Sequence, residues 1–219
     1  HGKYLVSKVI PVPDDQIATV VAEVARAGGW RTGQAVVHPS GALDRSVLRL
    51  AAEQGAWIGG LHPLQSAADP EEAVRALPGS YFGVEAEEPL LGLLETLVSR
   101  LGGKPLRVPG EAKGLYHLAA ALASNGVVAL FAMAADLFDR AGIPPAESSQ
   151  ALLPLLRGTL ENLERLGLPR ALTGPISRGD HGTLLRHLDS LGREAPELIA
   201  LYCLLGRRMV ALACAKGSL

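Results

Sequence analysis

The sequence predicts an α/β fold with a mainly parallel sheet over residues 1–108, followed by an all-helical domain over residues 109–219. Short runs rich in β-branched residues alternate with stretches of helical period as far as Val108, the signature of a sheet covered on both faces. After Val108-Pro109-Gly110 no strand pattern recurs. Of the 219 residues 48% are apolar and 20% charged, enough apolar side chain for a substantial core without disulfides.

Lys8 to Val12 reads as the first strand, leading into Pro13-Asp14-Asp15. Gln16 to Ala27 then carries Ile17, Val20, Val21 and Val24 at helical spacing, with Asp14 or Asp15 placed to cap it. Gln34 to Val37 is a second strand, ending at His38-Pro39-Ser40-Gly41, and a helix near Asp44 to Gln54 follows. Ala56 to Leu61 is a third strand, ending at His62-Pro63-Leu64-Gln65. Tyr81 to Glu85 and Lys104 to Val108 are the fourth and fifth, with a helix from Pro89 to Leu101 between them.

A helix from Glu111 to Ala141 opens the second half, about 45 Å long at about 1.5 Å per residue. It is apolar almost all round, so it must be buried in its own domain or against another chain. A second helix runs from Ala146 to Leu166, with a bend or interruption expected at Pro154. Leu168 to Asp180 is a loop rich in Gly and Pro, and helices near Gly182 to Leu191 and Pro196 to Lys216 close the chain.

The 21 basic and 22 acidic side chains leave a formal charge of −1, which argues against a nucleic-acid partner. The longest uninterrupted apolar run, Val127 to Ala135, is far short of a membrane span, and Gly2, Lys3 and Tyr4 do not resemble a signal peptide. The expected location is the cytoplasm. Cys203 and Cys214 lie about 16 Å apart on one helix, too far to bridge, and are expected to be buried free thiols.

In an open parallel sheet, ligands sit beyond the carboxyl ends of the strands. Pro13-Asp14-Asp15, His38-Pro39-Ser40-Gly41 and His62-Pro63-Leu64-Gln65 follow successive strands at intervals of 25 and 24 residues, aligning Pro13, Asp14, His38, Ser40, His62 and Gln65 along one edge. The competing reading is that Pro and Gly merely end strands while each His packs or faces water. On the first long helix, Lys113, His117 and Ser124 fall on one side, with Asn125 beside them. These suit proton donation to a carbonyl oxygen by Lys113 or His117 and substrate positioning by Asn125, or else a snorkelling lysine and hydrogen bonds inside a helical core. In the loop from Thr173 to Asp180, Arg178 suits a bidentate grip on a carboxylate or phosphate. Alternatively Arg178 and Asp180 pair, and Asp180 caps the next helix. No His-Glu-x-x-His, Cys-x-x-Cys or Gly-x-Ser-x-Gly pattern occurs.

Taken in order, Pro13-Asp14-Asp15, His38-Pro39-Ser40-Gly41-Ala42-Leu43, Leu61-His62-Pro63-Leu64-Gln65, Tyr116-His117 to Ser124-Asn125, and Leu172-Thr173-Gly174-Pro175-Ile176 to Arg178-Gly179-Asp180 carry a resemblance over nearly the whole chain. They resemble the bacterial family that joins a Rossmann-like domain to the helical domain DUF2520, similar in architecture to pyrroline-5-carboxylate reductase, ketopantoate reductase and the 3-hydroxyacid and 6-phosphogluconate dehydrogenases. The resemblance implies an NAD(P)-dependent oxidoreductase, with NADP slightly preferred to NAD, dimeric through the helical domain. Pro13, Asp14, His38, Ser40, His62 and Gln65 would then face the cofactor, with Lys113, His117 and Asn125 catalytic. Ser124, Thr173, Arg178 and Asp180 would bind a small carbonyl, hydroxy-acid or imine substrate between the two domains. One departure stands out. The Gly-x-Gly-x-x-Gly turn that grips a pyrophosphate has no counterpart, since Gly28-Gly29 and Gly102-Gly103 lack the spacing, and roughly 60 residues of an upstream βαβ unit are expected to be missing from the sequence. The alternative is a non-catalytic, homodimeric ligand-binding protein without a working dinucleotide site.

Overall fold

The computed structural model describes residues 8–66 and 69–219; Gly2, Lys3 and Tyr4 lie outside them. The five strands appear in the expected order: β1 (Lys8–Val9), β2 (Ala35–His38), β3 (Trp57–Pro63), β4 (Tyr81–Ala86) and β5 (Lys104–Arg107). They form one sheet in sequence order. β1, β2 and β3 run parallel, β4 runs antiparallel to β3, and β5 is parallel to β4. The sheet is therefore mostly parallel, with a reversal at β4 that periodicity cannot reveal, because alternation reads the same in both directions.

Alternation along β2 divides the core. Val36 packs with Ile17 and Val21 of α1 (Asp14–Arg26), together with Trp30 and Leu48. Ala35 and Val37 face the other way, onto Phe82, Val84 and the Leu90, Leu94 and Val98 stripe of α4 (Leu90–Arg100). All four β2 residues are buried, as a strand covered on both faces requires.

Local capping departs from expectation at α1. Pro13 holds the cap position with no side-chain bond, and Asp14 and Asp15 lie in the first turn. The Asp14 carboxylate instead accepts the Ser40 hydroxyl at 2.7 Å. Between β2 and β3 the expected helix is a 3₁₀ turn over Arg45–Leu48, capped by Asp44, running into the short α2 (Arg49–Ala52). A helix not expected from the sequence, α3 (Pro70–Ala76), is capped by Asp69, whose side chain accepts from the amides of Glu71 and Glu72.

The chain divides into two compact units, His1–Val127 and Val128–Leu219. The expected long helix is present as α5 (Lys113–Ala123) and α6 (Asn125–Arg140), with irregular backbone at Ser124. α5 packs with the sheet unit. α7 (Pro145–Leu166) continues through Pro154 rather than stopping there. The Gly- and Pro-rich loop contains the single helical turn α8 (Gly174–Ser177), and α9 (His181–Glu194) and α10 (Ile199–Lys216) follow.

Among the described residues the apolar helices are largely left uncovered, so of the two expected modes of burial the first is not met. α6 has no buried residue, and Leu122 and Val128 are 64% and 69% exposed. Cys203 and Cys214 on α10 are free but exposed, contrary to expectation, because α10 is apolar on nearly all sides and the chain covers only part of it. Gly110–Arg140 and Pro196–Lys216 are also long and apolar enough to cross a membrane by length and composition alone, although polar residues interrupt both. Helices covered by another protein surface have the same composition.

Candidate functional site

Glycines in the strands make room for the site. Glycine inside a strand weakens packing and often marks a close approach by another group. A Cβ at Gly83 of β4 would stand 2.6 Å from the Tyr116 hydroxyl, and one at Gly60 of β3 would stand 3.4 Å from Lys113 Nζ. These gaps let one turn of α5 lay Lys113, Tyr116 and His117, spaced i, i+3 and i+4, toward the ends of β2 and β3.

Ser40 organises the loop after β2. Its hydroxyl donates to Asp14 and accepts the amides of Ala42 at 3.2 Å and Leu43 at 3.0 Å. Its amide donates to His38 Nδ1 at 3.2 Å, and its carbonyl accepts from Lys113 Nζ at 3.0 Å. The floor of the site is thus two fully buried groups, His38 and Lys113, anchored to one residue. The rim is more open. His62 Nδ1 and the Tyr116 hydroxyl are 2.9 Å apart, and the rings of His62 and His117 meet edge to face at 6.0 Å. Both histidines close over Gly41, where a Cβ would come within 2.7 Å of His117 and 2.8 Å of His62.

Burial sets the electrostatics. His38 and His62 are each pushed down to about 4, first by desolvation and next by the Lys113 charge, so both are neutral at pH 7. Burial also lowers Lys113, against the pull of Glu85, Asp14 and Asp44. Glu85, level with Gly60 in the sheet, is raised by burial although its carboxylate accepts the Arg45 amide at 3.0 Å. A cavity of about 320 Å³ lined by Arg45, Glu85, Arg107 and Gly110 opens beside it.

The structure brings together Asp14, His38, Ser40, His62, Lys113 and His117, with Pro13 next to Asp14 at the start of α1. The Gln65 amide is occupied elsewhere, donating to the Ala76 carbonyl and the Ser80 hydroxyl. Ser124 and Asn125 lie at the junction of α5 and α6, and no side-chain hydrogen bond ties them to this group among the described residues. Thr173, Arg178 and Asp180 belong to the second compact unit. There Asp180 caps α9 through the amide and hydroxyl of Thr183, while Arg178 is exposed and unpaired with Asp180. Sequence reasoning gave no role to Glu85, Gly60, Gly83 or the Tyr116 hydroxyl. The glycines were the available signal, since each interrupts a strand that otherwise reads as buried.

Residues 80–209 match the family model "Domain of unknown function (DUF2520)", and residues 5–63 match a Rossmann-like domain. No curated protein matches the chain. Protein TM1727 from Thermotoga maritima is 27% identical, with a TM-score of 0.77 over 95% of this chain and 78% of that one. A putative NADP oxidoreductase, BF3122 from Bacteroides fragilis, is 22% identical, with a TM-score of 0.73 over 94% and 75% of the two chains. Pyrroline carboxylate reductase from Plasmodium falciparum, solved with NADP bound, is 14% identical, with a TM-score of 0.61 over 96% and 79%. The likeness to the last two is one of fold.

Proposed function

The chain belongs to the DUF2520 family, and on that premise we propose that it is an NAD(P)-dependent oxidoreductase acting on a small carbonyl, hydroxy-acid or imine substrate. The observation that carries this reading is the buried Lys113, set among His38, His62, Tyr116 and His117 at the strand ends of a Rossmann-like sheet. A buried lysine with its proton loosened by desolvation is suited to general acid and base work.

The residues present fit the reactive end of a nicotinamide dinucleotide. Gly41 lets the rings of His62 and His117 come together at the strand ends, above the enclosed His38. Pro13, Asp14, His38, Ser40 and His62 would hold that end. The pyrophosphate is another matter, because the described residues contain no glycine-rich turn, and the first turn of α1 carries two carboxylates. When bound, the cofactor supplies or accepts a hydride. This chain's part is to move a proton through Lys113, to orient the Tyr116 hydroxyl through His62, and to limit water with the paired rings of His62 and His117.

Titration of the protein with NADPH and NADH, followed by nicotinamide fluorescence, is expected to saturate with both and at lower concentration with NADPH. Failure to saturate with either overturns the oxidoreductase reading in favour of a ligand-binding protein. The apolar surfaces of α6 and α10 are read as covered by a second copy of the chain, and the two free cysteines suit the reducing cytoplasm. Light scattering is expected to give twice the chain mass; the mass of one chain at micromolar concentration removes that assignment.

A further inference from the structure

One buried acid has no part in the proton chemistry assigned to Lys113. Glu85 is only 9% exposed, and its Oε2 accepts the Arg45 amide at 3.0 Å. Its Oε1 accepts no hydrogen bond among the described residues, and Arg45 Nε stands off from it at 3.8 Å. A carboxylate oxygen at this depth is costly to leave without a donor, and native proteins rarely keep one without a use.

Glu85 forms part of the wall of the cavity of about 320 Å³, which lies entirely within the sheet unit. β4 runs antiparallel to β3, so Ala86 at the end of β4 is level with Gly59 near the start of β3. The cavity therefore lies at the carboxyl ends of β4 and β5, where open α/β sheets take ligands, and apart from the loops that follow β2 and β3.

Two arginines share the wall with Glu85. Arg45 Nη2 donates to Glu87, and Arg107 donates through Nε and Nη2 to Glu95 at 2.6 and 3.0 Å. Nη1 of each donates to nothing among the described residues. Ion pairs at the surface are weak, so neither arginine is lost to a ligand by its present partner. Charge then selects what the cavity can hold. An amine alone gains Glu85 but meets two guanidinium groups, and a carboxylate alone gains the arginines but meets Glu85. A ligand with an ammonium and a carboxylate on one carbon satisfies all three. The rest of the wall, with Val84, Leu91 and Val108, suits a short aliphatic side chain.

We propose that this cavity is a second ligand site, independent of the oxidoreductase reading, and that it takes a small aliphatic α-amino acid as the zwitterion. The ammonium donates to Glu85 Oε1, and the carboxylate accepts from Arg45 and Arg107.

The test titrates protein labelled at the side-chain carboxyl carbon of glutamate with L-valine, isobutylamine and isovalerate. The second compound is valine without its carboxylate and the third is valine without its ammonium. L-Valine is expected to move the Glu85 carboxyl resonance saturably in the millimolar range. Each of the other two is expected to bind at least about tenfold more weakly, the worth of one hydrogen bond to a charged group. Glu85→Gln, which keeps an acceptor for the Arg45 amide and identifies the resonance by its loss, is expected to weaken L-valine at least about tenfold by calorimetry. Arg107 is exposed, so Arg107→Gln leaves the fold intact; it is expected to weaken L-valine and isovalerate together and to spare isobutylamine. Absence of a saturable L-valine response overturns the proposal. So does equal binding of the three compounds, or full L-valine affinity in Arg107→Gln.

Discussion

Replacing Lys113 by methionine is expected to lower kcat about 10²–10⁴-fold for any ketone or aldehyde the protein reduces, the usual contribution of a positioned acid. Nicotinamide affinity is expected to change little. The same substitution is expected to leave the melting temperature unchanged or raise it, because methionine keeps the apolar stem and removes a charge that burial disfavours. Function and stability thus move in opposite directions, as they do where a site is maintained against the preference of the fold. Calorimetry and steady-state kinetics on one preparation make the test. An unchanged kcat removes Lys113 from the reaction, and a large fall in melting temperature makes it a structural residue.

The histidine contribution to stability is expected to be complete above pH 6.5 and to be lost as the pH drops toward 4, while Lys113, lowered by burial, adds stability as the pH rises toward 10.5. His38 and His62 are held near 4 in the folded protein against an ordinary value of 6.5, so across this window the unfolded chain binds more protons. Acid therefore favours unfolding. Each histidine contributes a slope of at most about 1.4 kcal/mol per pH unit, and His62, only half buried, contributes less. The groups facing them act in both senses. Lys113 lowers both histidines and His117 lowers His62, Asp14 raises both and Asp44 raises His38, while Glu85, itself raised by burial, opposes the trend from pH 4.5 upward. Urea unfolding at pH 7.5, 6 and 5, with His62→Gln alongside, isolates one histidine's share. Equal stability at all three pH values contradicts the buried, neutral histidines of the candidate site.

The strand-end loops were legible as a set. Their spacing alone aligned Asp14, His38, Ser40 and His62, and helical spacing alone put Lys113 and His117 on one face. That the two sets meet is a tertiary fact, made possible by Gly41, Gly60 and Gly83. Depth was not legible either. Lys113 is enclosed and both cysteines are exposed, the reverse of what residue type suggests, because burial depends on what packs against a helix and not on its own composition. Gln65 sits in the same loop pattern as His62, yet its amide is used by Ala76 and Ser80, on and beside a short helix that no periodic signal announced.

The order of elements, the change from sheet to helices after Val108 and the faces of α1 and α4 were determined by the sequence itself, since periodicity and chain breakers act over a few residues. The reversal of β4 and the approach of Lys113 to Ser40 and Gly60 were decided only by the tertiary structure. Each depends on groups 20 or more residues apart in the chain, such as Ser40 and Lys113, which only packing brings within hydrogen-bonding distance.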